Sequence, residues 1–285
     1  MSQNKTVGEI LRESKLFLKE CKIETYALDA ELLLMQVAGL TKIQLFTQDH
    51  RFLTEEELAH YQSLLEKRKK GTPTQYLLGH CEFMGLDFLV KEGVLIPRPD
   101  TEILVEAVLE IGEREGFHTL LDMGTGTGCI PISLAHHGRF STYGVDISPV
   151  ALEIAKANGE RNSIEVKWVQ SNLFENVPRT LVGNLDGLVS NPPYIPTKDL
   201  AGLMTEVKDF EPRLALDGGI DGLDFYRKII EKSKPYLKEH GWIFFEIGYN
   251  QAQDLIELFS KAGFEKIEVR QDLAGLDRVV LARRK

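Results

Sequence analysis

The spacing of hydrophobic residues divides the chain into a helical part and an alternating part. Up to residue 71, apolar side chains recur every three or four positions, as at Val7, Ile10 and Leu11, which is the period of an amphipathic helix. Gly39 predicts a helix end, and Thr54-Glu55-Glu56-Glu57 predicts a helix start with a capping box. We therefore predict a small N-terminal helical domain over residues 1–71.

The alternating part begins after a glycine- and proline-rich stretch over 72–97, which predicts a β-hairpin linker. Residues 98–285 then start with a helix near Thr101, and a later helix is predicted over 222–239. The predicted strands are 119–122, 142–146, 165–170, 185–190, 242–247, 266–270 and 278–282. Such alternation predicts an α/β domain with a mostly parallel seven-stranded sheet, its last strand antiparallel and its helices on both faces.

Composition narrows the class of protein. The chain of 285 residues is 43% hydrophobic and 27% charged, as in ordinary soluble domains, and contains no apolar run of membrane-spanning length. Charged residues interrupt the first 20 positions, so we expect no signal or transit peptide. The cysteines Cys21, Cys81 and Cys129 lie too far apart for a zinc motif and indicate reduced thiols in a cytoplasmic protein; we expect no metal.

The net charge of -9 lies outside the helical part, because residues 1–80 contain 11 basic and 11 acidic side chains. An acidic catalytic part argues against nucleic-acid binding, which needs a basic surface. The main basic cluster is Lys67-Arg68-Lys69-Lys70, at a predicted helix end. It is typical of a solvated helix terminus, and contact with RNA or a partner is the alternative.

A glycine loop, Asp122-Met-Gly124-Thr-Gly126-Thr-Gly128, follows one predicted strand and opens a helix. Glycines allow a ligand to approach the backbone, and Asp146, at the end of the next strand, can accept hydrogen bonds from both hydroxyls of a ribose. This spacing predicts a bound nucleoside. The GxGxG form favours S-adenosylmethionine over a dinucleotide, whose loops read GxGxxG; a tight turn without a ligand is the remaining alternative.

A second motif, Asn191-Pro192-Pro193-Tyr194, follows another predicted strand at the same sheet edge. The prolines hold the chain extended, so the Asn191 side-chain oxygen and the Pro192 carbonyl can both accept from one planar NH2 group. Tyr194 offers a face for stacking. Two acceptors that hold both hydrogens aim the nitrogen lone pair at an electrophilic methyl group, which predicts methylation of an amide or aromatic amine. A proline-rich turn without chemistry is the alternative.

With these motifs the chain resembles the release-factor glutamine methyltransferases, the PrmC/HemK family, along almost its whole length. The stretches that carry the resemblance are Gln75–Gly79, Val94–Glu102, Asp122–Gly128, Tyr143–Ser148, Ser190–Ile195 and Glu211–Leu216. The resemblance implies a Rossmann-like class I methyltransferase domain that methylates N5 of the glutamine in the Gly-Gly-Gln motif of class-1 peptide-chain release factors. It also implies that the N-terminal domain helps to dock that protein, and we expect a monomer.

The resemblance also implies roles for individual residues. It assigns cofactor binding to Gly124, Thr125, Gly126, Thr127, Gly128, Asp146, Asn172, Leu173 and Asn191, and it assigns substrate binding to Asn191, Pro192, Pro193 and Tyr194. Of these, Asn191, Pro192 and Tyr194 are the expected catalytic residues. The chain departs from the family pattern at Asp100, Thr127 and Asn172, where Glu, Ser and Asp are usual. Asn172 can accept a hydrogen bond from adenine only through its amide oxygen, without a charge.

Two other functions compete with this interpretation. An adenine-N6 DNA methyltransferase also acts on a planar NH2 group, but the acidic catalytic part and the absence of a basic target-recognition domain argue against it. A nucleotide-binding regulator or RNA-binding module would use the Lys67–Lys70 cluster, but it would leave the Asn191–Tyr194 motif without a purpose.

Overall fold

The computed structural model describes residues 5–285, so the first four residues of the predicted helical domain lie outside the described part. Its helices are α1 (Val7–Glu20), α2 (Tyr26–Ala38), α3 (Lys42–Thr47), α4 (Glu55–Lys69), α5 (Thr74–Leu78), α6 (Asp100–Glu115), α7 (Cys129–Gly138), α8 (Pro149–Arg161), α9 (Thr205–Lys208), α10 (Asp224–Ser233) and α11 (Ala252–Lys261). Its strands are β1 (His80–Phe83), β2 (Leu86–Leu89), β3 (Thr119–Met123), β4 (Ser141–Asp146), β5 (Lys167–Gln170), β6 (Leu185–Ser190), β7 (Leu237–Glu246), β8 (Phe264–Gln271) and β9 (Asp277–Arg284).

These elements form two units. The helical unit contains the described residues up to His80 together with Met204–Phe210, and the sheet unit contains Cys81–Leu203 and Glu211–Lys285. The helical unit is therefore larger than the 1–71 that the sequence predicts. It includes α5 and the short helix α9, although α9 lies far along the chain.

Helix starts in the helical unit follow from side-chain capping. The Thr54 hydroxyl accepts from the Glu57 amide at 3.1 Å, and the Glu57 carboxylate accepts from the Thr54 amide at 2.8 Å, so the predicted capping box is confirmed. At the end of α2, Gly39 adopts a φ of +62°, the left-handed conformation that favours glycine. Leu18, Leu33 and the other apolar faces then bury against each other, so packing rather than propensity stabilises these short helices.

One prediction for this unit is wrong at a single residue. The sequence predicts a solvated helix terminus over Lys67–Lys70, and the three lysines are exposed, but Arg68 is only 2% exposed. Its Nε donates to Asp29 Oδ2 at 2.7 Å, and its Nη2 lies 2.5 Å from Glu206 Oε1 in α9. The guanidinium therefore compensates a buried carboxylate, which a charge pattern along the chain cannot reveal.

The sheet unit contains a seven-stranded sheet in the order β5-β4-β3-β6-β7-β9-β8. The pairings among β5, β4, β3, β6 and β7 are parallel, and β9 is antiparallel to both of its neighbours. The predicted fold, with its antiparallel last strand, is confirmed. The chain leaves β3 toward β4 on one side and later returns to β6 on the other, which opens a crevice at the carboxyl ends of these strands.

Alternation along the strands places apolar side chains on both faces of the sheet. In β7, Ile243 and Phe245 pack with α10 and α11, whereas Phe244 packs on the opposite face with α6 and α7. All three of these side chains are fully buried. Strand β7 is therefore packed on both faces beside β6, the strand that leads into the crevice.

The predicted helix over 222–239 is too long. Helix α10 ends at Ser233, and β7 already begins at Leu237. Pro235 lies between them and cannot donate to a helical hydrogen bond, so the apolar spacing beyond it belongs to a strand. The predicted hairpin is present as β1 and β2, and backbone bonds from Met84 to Glu102 and from Leu89 to Asn158, both 2.7 Å, attach it to the sheet unit.

Candidate active site

A cavity opens at the carboxyl ends of β3, β4 and β6, inside the sheet unit. Its lining includes the predicted site residues Gly124, Thr125, Gly126, Thr127, Asp146, Asn172, Leu173, Asn191, Pro192 and Pro193. The two motifs that the sequence singled out separately therefore share one cavity. Gly128 and Tyr194 are the two predicted site residues that do not line it.

The glycines of the loop serve two different purposes. Gly124 and Gly126 have φ values of +79° and +55°, and a Cβ on either would meet no protein atom within 4 Å, because both face open space. A Cβ on Gly128 would instead lie 2.8 Å from the Trp168 ring and 3.1 Å from Ala155. The first two glycines leave room for a ligand, whereas Gly128 lets α7 and α8 pack closely.

The carboxylate of Asp146 is fixed by the backbone. Its Oδ2 accepts from the Gly126 amide and its Oδ1 accepts from the Ser148 amide, each at 2.8 Å. Burial raises the pKa of this carboxyl, while the amide donors pull the pKa down. Each oxygen keeps a further lone pair, so the oriented carboxylate can still accept from two hydroxyls.

Two residues after β5 line the neighbouring end of the cavity. The Asn172 Nδ2 donates to Glu175 Oε1 at 2.8 Å, which fixes the amide and leaves its oxygen as an acceptor. Leu173 has a φ of +51°, an uncommon conformation for a residue with a branched side chain. Such strain is more frequent at ligand sites than elsewhere.

The Asn191 side chain has a defined orientation. Its Nδ2 donates to the Thr101 hydroxyl at 3.2 Å, which leaves Oδ1 as an acceptor, and the residue lines the cavity. Pro192 is buried beside it. The pair of acceptors that the sequence predicts here, Asn191 Oδ1 and the Pro192 carbonyl, stays a prediction.

Tyr194 lies differently from the prediction of a stacking face in the site. Its side chain packs against the core next to α10 and α11, and burial raises the pKa of its hydroxyl. Its backbone carbonyl accepts from Gln251 Nε2 at 3.1 Å, and a Cβ on Gly218 or Gly222 would collide with the Tyr194 backbone. Glycines in the 211–222 segment therefore support the Asn191–Tyr194 motif from behind.

Two buried carboxyl groups border the site and were not assigned a role from the sequence. Asp122, before the glycine loop, is 1% exposed, and neither of its oxygens has a hydrogen-bond partner among the described residues. Glu246, at the end of β7, is 3% exposed. Burial is the main cause that raises the pKa of each to about 7.

Other lining residues come from segments that the sequence marked only through the family resemblance. Arg98 lines the cavity and forms an ion pair with Glu211, so it joins the Val94–Glu102 and Glu211–Leu216 stretches. Phe225 and Ile229 of α10 also contribute. Pro97 and Pro99, on either side of Arg98, are the sequence feature that marks the first stretch. Nothing in the local pattern points to Phe225.

The cavity fits a nucleoside cofactor on its own geometry. A side chain on Gly124 or Gly126 would enter open space, and a fixed carboxylate stands beside that space. In residues 5–285, no cluster of three or more metal-ligating side chains is present, and no helix has the length and apolar composition needed to cross a membrane.

Two protein-family models each match one stretch of the chain. Residues 9–79 match the PrmC N-terminal domain model, and residues 99–207 match the methyltransferase small domain model. A release factor glutamine methyltransferase of Geobacter sulfurreducens is 42% identical over 276 residues, which cover 96% of this chain and 95% of that protein. One of Clostridium acetobutylicum is 44% identical over 279 residues, covering 97% and 98%.

The parallel sheet, the glycine loop and the fixed acid after the next strand define a class I S-adenosylmethionine-dependent methyltransferase. A crystal structure of a methyltransferase from Pyrococcus furiosus has the same fold, with a TM-score of 0.54, 16% identity and coverage of 81% of this chain and 98% of that one. The chain belongs to the release factor glutamine methyltransferase family.

Proposed function

We propose that this enzyme transfers the methyl group of S-adenosylmethionine to N5 of the glutamine in the Gly-Gly-Gln motif of class-1 peptide-chain release factors. The observation that carries the proposal is the shared cavity, whose lining contains residues 124–127 and Asp146 together with Asn191 and Pro192. Full-length similarity to release factor glutamine methyltransferases supports the choice of substrate.

The cofactor end of the cavity binds through oriented acceptors and open backbone. Asp146 accepts from the ribose hydroxyls, since two amides already hold its carboxylate in place. The Asn172 amide oxygen accepts from the adenine amino group, beside the apolar Leu173. Gly124 and Gly126 admit the rest of the nucleoside because no Cβ occupies their side of the cavity.

At the end of the cavity where the substrate amide binds, Asn191 and Pro192 compensate for the low nucleophilicity of an amide nitrogen. The Asn191 Oδ1 and the Pro192 carbonyl accept the two hydrogens of the substrate NH2, which fixes the direction of the nitrogen lone pair. When bound, the cofactor would supply an electrophilic methyl group on a sulfonium and would leave as the neutral thioether once the bond from sulfur to that methyl breaks. The substrate nitrogen, which becomes acidic as it gains the methyl group, would release one of its two protons to water. The two oxygens also stabilise the positive charge that develops on nitrogen, so orientation and electrostatics carry the catalysis. Tyr194 is not proposed as a stacking partner of the glutamine, because its ring packs against the core and does not line the cavity.

The helical unit is proposed to dock the release factor, because the cavity is lined by the sheet unit alone. We also infer a monomeric, cytoplasmic enzyme that does not act on DNA. The free thiols of Cys21, Cys81 and Cys129 fit a reducing compartment, and the net charge of -9 opposes binding to a polyanion.

Incubation with methyl-labelled cofactor tests the proposal. A purified class-1 release factor should become labelled, and a release factor with Gln replaced in Gly-Gly-Gln should not. Duplex DNA, offered at low and high salt, should stay unlabelled. Labelled DNA with an unlabelled release factor would establish the competing adenine-N6 activity instead.

A further inference from the structure

A buried polar chain lies behind Asn191. Strands β6 and β7 are parallel, and their last paired residues are Ser190 and Phe245, so the next residues, Asn191 and Glu246, end side by side at the same sheet edge. Thr101, near the start of α6, is 3% exposed and lies against both. The three side chains thus meet where the sheet opens into the cavity.

The hydrogen bonds of this group have a direction. Asn191 Nδ2 donates to Thr101 Oγ1 at 3.2 Å, so the Thr101 hydroxyl proton must go to another acceptor. A nearby group that can accept this proton is the buried Glu246 carboxyl, which the register of β6 and β7 places beside Asn191. With Glu246 as that acceptor, the donors run from the amide through the hydroxyl to the carboxylate.

A fixed amide matters because Asn side chains can rotate by 180° about their last bond. In the observed orientation the NH2 group donates to Thr101, on the side where Glu246 ends β7, and Oδ1 remains as the acceptor of a residue that lines the cavity. The flipped amide would turn its oxygen toward a buried carboxylate and present two hydrogens to the substrate NH2. Such a contact cannot hold the substrate, because both groups would be donors.

We propose that Thr101 and Glu246 are positioning residues that hold the Asn191 amide with its oxygen toward the substrate. This proposal rests on the proposed function, since it needs an NH2 acceptor group. Arg278 forms a 3.1 Å ion pair with Asp100, and its charge lowers the pKa of Glu246, so a cation partly balances the carboxylates there. Neither Thr101 nor Glu246 needs to contact the reacting atoms.

A double-mutant cycle tests the proposal, with kcat, KM for the release factor and cofactor affinity measured for each variant. Thr101→Val keeps the shape and removes the hydroxyl; it should lower kcat about 10- to 100-fold with KM and cofactor affinity within about twofold. Thr101→Ser should restore most of the activity. Thr142→Val is the matched control, because the Thr142 hydroxyl is buried in β4 and has no hydrogen-bond partner among the described residues.

The cycle gives the deciding result. In an Asn191→Ala background, Thr101→Val should cause no further loss, because its effect passes through the missing amide. Glu246→Gln, which removes the charge and keeps the shape, should lower kcat about tenfold and show the same dependence on Asn191.

A loss in Thr101→Val of less than about threefold beyond that of Thr142→Val would overturn the positioning role. An equal loss with and without Asn191 would also overturn it. If the wild-type enzyme does not methylate the release factor, the proposed function itself fails, which is a distinct result.

Discussion

At the scale of single residues, the loop glycines illustrate how one residue type serves two physical needs. Gly126→Val should abolish cofactor binding, because its side chain would occupy the cavity at a φ of +55°. Gly183→Val is the matched control, since Gly183 also has a positive φ, +69°, and open space, but it lies outside the cavity. Calorimetry should show binding only in the control. Unchanged binding in folded Gly126→Val would remove the loop from the site.

Asp122 is a residue whose burial opposes stability at neutral pH. Its pKa is about 7 in the folded state against 3.8 for the free side chain, so the folded state holds a proton that the unfolded state loses between these values. The wild-type free energy of unfolding should therefore fall as pH rises from about 4 to about 7. Asp122→Asn should gain about 2–3 kcal/mol relative to wild type between pH 5 and pH 8. Denaturant titration at several pH values measures the difference in unfolding free energy between the two proteins. A difference that stays the same at every pH would contradict the prediction.

At the scale of elements, Arg68 connects α4 with α2 and α9 inside the helical unit. Arg68→Met would leave Asp29 buried without its cation and should destabilise the unit by about 3–5 kcal/mol. Asp29→Leu in the same chain should recover most of this loss. The exposed neighbour Lys67→Met should change stability by less than about 0.5 kcal/mol. Hydrogen exchange of the α2 and α4 amides measures the effect locally, and a loss below about 1 kcal/mol would contradict it.

Elements with a strong local period could be predicted, and those decided by distant contacts could not. The β3–α7 and β4–α8 units follow from alternation and from the glycine loop, and the Thr54 cap follows from two side chains three residues apart. The end of α10 was missed because the apolar spacing continues past Pro235 into β7. The membership of α9 in the helical unit was missed because Glu206 finds its partner in Arg68, which is distant in sequence.

At the scale of the whole molecule, the two units have different proposed tasks. The sheet unit contains the cofactor cavity, and the helical unit is proposed to dock the release factor. A chain that begins at Cys81 should bind cofactor with unchanged affinity, since the cavity is lined by the sheet unit alone. It should lose most of its kcat/KM for an intact release factor while keeping activity on a short Gly-Gly-Gln peptide. Full kcat/KM on the intact release factor would show that the helical unit has no docking role.

The residues of the site that carry the proposed chemistry could be predicted from the sequence, whereas the side chains packed around them could not. The sequence identifies the glycine loop, Asp146 and Asn191 because each follows a strand and carries a recognisable ligand geometry. It places Tyr194 in the substrate site, whereas the structure packs this ring against the core. It could not identify Thr101 and Glu246 as neighbours of Asn191, because the register of β6 and β7 brings Glu246 there, and the position of α6 brings Thr101 there, only in the fold.

The position of the transferred methyl group is the most direct test of the central claim. After a single turnover with saturating cofactor, the release factor should be digested and its peptides fragmented in a mass spectrometer. The account predicts one added methyl group on the side-chain amide of the Gly-Gly-Gln glutamine with the wild-type enzyme, and a rate lower by about 10²–10³ with Asn191→Ala. A methyl group on any other residue, or a near-wild-type rate for Asn191→Ala, would contradict the account.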